Sequence, residues 1–149
     1  MNDKLSYRRL LEFSQVAQSW LQRNPAKTKF QYALNRVMAQ LAKVETEAQE
    51  ALGDIDVEHC SEDAQGNVIL ENNAYKFTKE KFKLRNKERR EYFDLPQFEV
   101  VPYFATKVPD TLTEYELTVF ADLVIAPDVL RRIEVDRELE ESPAELVDV

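Results

Sequence analysis

His59 and Cys60 stand side by side, and they are the chain's one histidine and one cysteine. An imidazole can activate a thiol as a nucleophile, but only if the ring reaches the sulfur. Neighbouring side chains on an extended loop point apart, so the spacing predicts an inert loop pair. Zinc would need further His or Cys ligands. The segment Asp63-Ala64-Gln65-Gly66-Asn67 has the outline of a calcium loop, with oxygen-bearing residues ahead of a glycine. Its third position is Gln65, and its twelfth, where a glutamate belongs, is Ala74. A hairpin turn is therefore expected there. Glu138, Glu140 and Glu141 lie in an acidic terminal stretch, without the burial that tunes a catalytic carboxylate. These residues predict no catalytic group, no cofactor and no metal site. A non-enzymatic protein is expected.

The stronger chemical signal is charge. Residues 76–90 carry eight basic and two acidic side chains, whereas residues 91–149 carry four and fifteen. Lys79, Lys83, Arg85, Lys87, Arg89 and Arg90 form the candidate basic surface, with Lys76 and Lys81 beside them. Such side chains contact phosphates, and Tyr75, Phe77 and Phe82 could stack on bases. On a helix, Lys79, Lys83, Lys87 and Arg90 share one stripe while Lys81 and Arg85 fall elsewhere, which makes a collar and not a groove-matched face. The chain has 28 acidic residues and a net charge of −8, and these repel a polyanion. An acidic protein partner, or plain solvation of the helix, is preferred over nucleic acid.

The element that must organise all this is a long helix. Phe30, Leu34, Val37, Leu41, Val44, Ala48 and Ala51 recur at alternating spacings of four and three. A 3.5-residue period keeps one apolar seam on one side of a helix. The segment 27–52 would span about 36–39 Å, ending at Gly53 as a C-terminal glycine. Phe30, Leu34, Val37, Leu41 and Val44 are the candidate interaction seam, covered by a second helix of the same chain or by a second copy. A first helix over 5–23 ends at Asn24-Pro25, and the short connection makes the pair an antiparallel hairpin.

Beyond Gly53 a polar loop is expected over 54–65. A β-hairpin follows, with strands at 68–70 and 74–77 turning at Asn72-Asn73. Thr78 should cap a helix from Lys79 to about Tyr92. An extended strand is expected over 97–104, with Pro102 favouring an edge. Thr113 and Glu116 have capping-box spacing ahead of a short helix over 114–123. The fold class is α+β, with an N-terminal antiparallel helical hairpin, a β-hairpin and a short mixed segment. Residues 1–126 are expected to form one domain, with the hairpin at 5–52 and the β/α segment at 66–125. An acidic tail over 127–149 is expected to be helical over 129–139 and flexible from Glu140 onward.

The 44% hydrophobic and 32% charged composition is that of a globular protein. No apolar run approaches the ~20 residues of a membrane-spanning helix. No signal peptide is expected at the N-terminus, and a lone cysteine fits a reducing compartment.

The order of pieces resembles a known family. The Leu-rich first helix, the Asn24-Pro25 break and the long second helix come first. Asp63-x-x-Gly66-Asn67, Tyr75-Lys76-Phe77, Phe98-Glu99-Val100-Val101 and Leu112-Thr113-x-x-Glu116-Leu117 follow. Over 5–125 this is similar to a family of small uncharacterised proteins of tailed bacteriophages and prophages. The resemblance implies a phage origin, an accessory role, and a location in the host bacterial cytoplasm or the virion. It brings no site residues with it. The favoured function is protein–protein interaction, in virion assembly or on a host factor, through a protein partner or a homo-oligomer. The alternatives are a nucleic-acid-associated factor using 76–90 and an inhibitor of a host defence enzyme with an acidic mimic surface.

Overall fold

In the computed structural model, which describes residues 3–141, the heptad stripe belongs to a helix longer than its spacing predicts. The elements run β1 (Asp3–Ser6), α1 (Tyr7–Arg23), α2 (Lys29–His59), β2 (Leu70–Glu71), β3 (Ala74–Tyr75), α3 (Lys79–Asp94), β4 (Gln97–Val100), α4 (Glu114–Phe120) and α5 (Pro127–Glu141). The fold is α+β with two long helices in its N-terminal part, as expected. No helix among the described residues is long and apolar enough to cross a membrane.

Several boundaries differ from the expected ones, each for a physical reason. The first four described residues form a strand, and α1 starts at Tyr7 because the Ser6 hydroxyl accepts the Arg9 N–H at 3.2 Å. Thr28 caps α2 in the same way, taking the Gln31 N–H at 3.0 Å. Gly53 does not end α2. Its backbone is not left-handed, and the inward face continues through Leu52, Ile55 and His59. A glycine stops a helix only where the chain turns left-handed, and here packing carries the helix past it. The expected loop over 54–65 is thus helical as far as His59.

Strand β4 stops at Val100, short of the expected 104, because Pro102 has no N–H for a ladder. Helix α4 stops at Phe120, since Asp122 takes φ 67° and turns the chain. Pro127 opens α5 at a position where its missing N–H costs nothing, so helix replaces the expected onset of the tail and includes Glu140. The end of the expected flexible tail, residues 142–149, lies outside the described residues.

Contacts divide the chain into two compact units. Among the described residues, one takes Glu12–Ala39 and 100–141, and the other takes Lys4–Leu11 and Gln40–Glu99. In the first, Phe13, Ala17 and Trp20 of α1 face Phe30, Ala33, Leu34 and Val37 of α2, all buried. Trp20 meets Phe30 edge-on at 5.2 Å, so the chain doubles back across its short connection. Phe120 of α4 packs edge-on against both Phe13 and Phe30 at 5.7 Å. The N–H groups of Tyr103 and Ala105 donate to the carbonyls of Leu123 and Val124, both at 2.9 Å, which pins the chain after β4.

In the second unit, buried Tyr7, Ala48 and Leu52 form a cluster flanked by half-buried Val44, Ile55, Tyr92, Phe93 and Phe98. Strands β1 and β4 pair with each other, and β2 pairs antiparallel with β3, with Leu70 opposite Tyr75. Asn72 and Asn73 both take positive φ in the two-residue turn, as its position requires. Thr78 caps α3, accepting the Lys81 N–H at 3.3 Å.

Candidate functional site

The candidate seam is core. Phe30, Leu34, Val37 and Leu41 are buried within the chain itself, and Val44 is half-buried. The cover is supplied in cis, with Trp20 and Phe120 lying on Phe30. Of the two covers expected for this seam, side chains of the same chain are the one seen, and the four buried residues offer a partner nothing to touch.

The candidate basic surface splits in two along α3. Arg85 and Arg89, one turn apart, reach the same carboxylate on α2. Arg85 Nε donates to Asp56 Oδ1 at 2.7 Å, and Arg89 Nη1 donates to Asp56 Oδ2 at 2.8 Å. Arg89 Nη1 also donates to the Leu52 carbonyl at 3.2 Å. The Arg85 guanidinium lies 5.4 Å from the centre of the Phe77 ring and 5.7 Å from that of Phe82. These two arginines hold α3 in place and are occupied. Lys79, Lys83, Lys87 and Arg90 fall on the exposed side, where Lys87 makes one long contact of 3.9 Å to Glu91.

His59 is not on a loop. It is buried on the last turn of α2, where Nε2 meets Glu88 Oε2 at 2.6 Å, while Nδ1 is buried without a hydrogen-bond partner. Cys60 follows the helix and its thiol donates to the Val57 carbonyl at 3.5 Å, so imidazole and thiol face different partners. Glu58, His59 and Glu88 bring three donor atoms within 4.8 Å of one another. A cation held there would displace the Nε2–Glu88 hydrogen bond and fix the proton on Nδ1, leaving a buried donor unpaired. As it stands, the contact between Nε2 and Glu88 fastens α3 to α2.

Asp63 is likewise occupied. Its Oδ1 accepts the N–H groups of Gln65 and Asn67, both at 2.9 Å, closing the expected turn. The hydrogen bond from the Asn67 backbone is the main reason its carboxyl is held below the usual range. The loop backbone therefore uses the oxygens that calcium would need.

The β2–β3 hairpin and the start of α3 expose apolar and basic side chains next to one another. Leu70 and Tyr75 are directly opposed on the β2–β3 hairpin, and both are exposed. Two residues beyond Tyr75, Phe77 packs its ring against exposed Phe82 of α3 at 5.8 Å. Lys79 and Lys83 flank Phe82 along the helix. The sequence marked these residues as charged and aromatic. It could not show which arginines turn inward, because their partner Asp56 lies about thirty positions away. No family model matches the chain, and no curated protein or solved structure is significantly similar to it.

Proposed function

We propose that this chain is a non-enzymatic interaction protein that docks an acidic protein surface on the ridge of Leu70, Tyr75, Phe77 and Phe82. The observation that carries this reading is the exposure of Leu70, Tyr75 and Phe82, with half-buried Phe77 against Phe82 and lysines beside them. The two groups best suited to covalent chemistry are already engaged, the imidazole with Glu88 and the thiol with the Val57 carbonyl. Arg85 and Arg89 are committed to Asp56, which weakens a nucleic-acid reading of 76–90. The resemblance to phage proteins supplies the setting, an accessory factor in the host bacterial cytoplasm or the virion.

Light scattering over a range of protein concentration and salt tests for a second copy as the partner. Capture from bacterial lysate with the wild-type chain and with a Leu70→Glu/Phe82→Glu variant as baits tests for a different protein. Mass that rises with concentration and falls in the variant, or a protein retained by the wild type alone, supports the reading. A monomer at every concentration whose two baits retain the same proteins overturns it.

A further inference from the structure

In the first unit, an open cleft of about 570 Å³ lies between the start of α2 and residues 103–106. Lys27, Lys29, Tyr32, Tyr103 and Phe104 line it. A second basin of about 270 Å³ shares Thr28 and Lys29 with the first and extends the surface to Lys107. No acidic side chain lines either basin among the described residues, although the whole chain carries more acids than bases.

The aromatic groups are both exposed and held. Tyr32 is 52%, Tyr103 39% and Phe104 44% exposed. Tyr103 is anchored through its N–H on the Leu123 carbonyl, and its ring meets Tyr32 edge-on at 5.5 Å. The Arg36 guanidinium sits 5.2 Å from the centre of the Tyr103 ring. Phe104 stands between two residues whose N–H groups are bonded, and its neighbour Ala105 is buried. The Tyr32 and Tyr103 rings, held against each other, and the pinned backbone on either side of Phe104 lose little freedom when a flat partner covers them. The beginning of α2 adds the partial positive charge of a helix N-terminus.

We propose that this cleft binds single-stranded nucleic acid, with bases stacking on Tyr32 and Phe104 and phosphates meeting Lys27, Lys29 and Lys107. The two basins share Thr28 and Lys29 and bring exposed aromatic faces and three lysines to one surface, the combination of stacking and charge that binds single strands. Base faces are free only when unpaired, so a duplex does not offer this chemistry. The binding needs no contribution from the ridge of the second unit. The acidic remainder of the chain opposes it at long range, while the close phosphate contacts are strongest at low salt, so affinity is followed from about 50 mM upward.

Fluorescence anisotropy of a labelled twelve-nucleotide single strand, titrated with the full chain, tests the assignment. Stacking worth about 1–3 kcal/mol per base predicts affinity about 5- to 150-fold weaker for Tyr32→Ala and for Phe104→Ala. Three phosphate contacts predict a log–log salt slope of about −2, or roughly twenty-fold weaker binding at 200 mM than at 50 mM salt. Lys29→Glu should remove binding while keeping the helix, since an acid at this end of α2 is favourable. A Lys87→Glu/Arg90→Glu variant separates this surface from α3. The proposal is overturned by no anisotropy change at 50 mM salt, by equal affinity for a duplex, or by binding that survives both aromatic variants and is lost with Lys87→Glu/Arg90→Glu.

Discussion

In the unit that contains Glu12–Ala39, Trp20, Phe30, Phe120 and Phe13 meet edge to face, and the side chains beneath them are apolar. In the unit that contains Gln40–Glu99, α3 fully buries none of its residues; Tyr92 and Phe93 pack half-buried at its end, and charged hydrogen bonds fasten the rest. Asp56 holds Arg85 and Arg89, Glu88 holds His59, and Asp94 holds Arg8 at 2.7 Å. Burial of apolar area is undirected and tolerates small shifts, whereas a charged hydrogen bond demands geometry and penalises the loss of either member. The first arrangement suits a scaffold. The second suits a helix that must stay on the surface and keep its outer face free.

Phe30→Ala should show the first arrangement most strongly. Truncating a buried ring in a core costs about 3–5 kcal/mol, and urea unfolding followed by circular dichroism measures it. A loss below about 1 kcal/mol would mean that the ring cluster is not the main support of its unit.

Asp56→Ala probes the other unit. It leaves two half-buried guanidinium groups without their carboxylate, at an expected cost of about 1.5–3 kcal/mol. Native-state hydrogen exchange should show α3 amides losing protection while amides of residues 33–37 keep theirs. Equal loss in both places would show that the two units unfold together.

Glu116 tests whether charge matters in the aromatic unit too. Only 4% exposed, it completes a capping box with Thr113 and accepts from Arg23 Nη2 at 2.6 Å. Burial opposes its ionisation, but the hydrogen bonds from Thr113 and Arg23 outweigh burial and hold its carboxyl below the usual range. A depressed folded-state value means that the stabilisation is complete above the unfolded pKa of about 4.3 and is lost as pH falls through the folded one. Glu116→Gln should cost about 1–2 kcal/mol near neutral pH. The gap in Tm between variant and wild type should hold down to about pH 5 and close at lower pH.

Gly53→Ala is the mildest change. A Cβ at this position meets nothing within 4 Å, and the backbone there is helical. The substitution should stabilise the chain by about 0.5–1 kcal/mol, raising the urea midpoint without changing the slope.

Local signals were readable in advance. Thr113 with Glu116, Thr78 ahead of its helix and Asn72-Asn73 in their turn each act within a few residues, and each does what its spacing implies. The heptad stripe was readable as a buried helix face, but its period does not say whether the cover comes from the same chain or another. Gly53 misled because its type suggests a stop, while Ile55 and His59 carry the face of Leu52 on beyond it. That continuation was a signal available from spacing alone. The two surfaces depend on remote pairings, Asp56 with Arg85 and Arg89, and Tyr32 with Tyr103, which no local pattern encodes.

Each compact unit is assembled from separated stretches of the chain. Tyr7, from the start of α1, covers Ala48 and Leu52 of α2, and Phe120 covers Phe13 and Phe30. Neither unit can be excised, grafted or recombined as a cassette, because any single cut that isolates one strips away its lid. A fragment spanning 40–99 should therefore be sticky and poorly folded, and the two surfaces can be inherited only together.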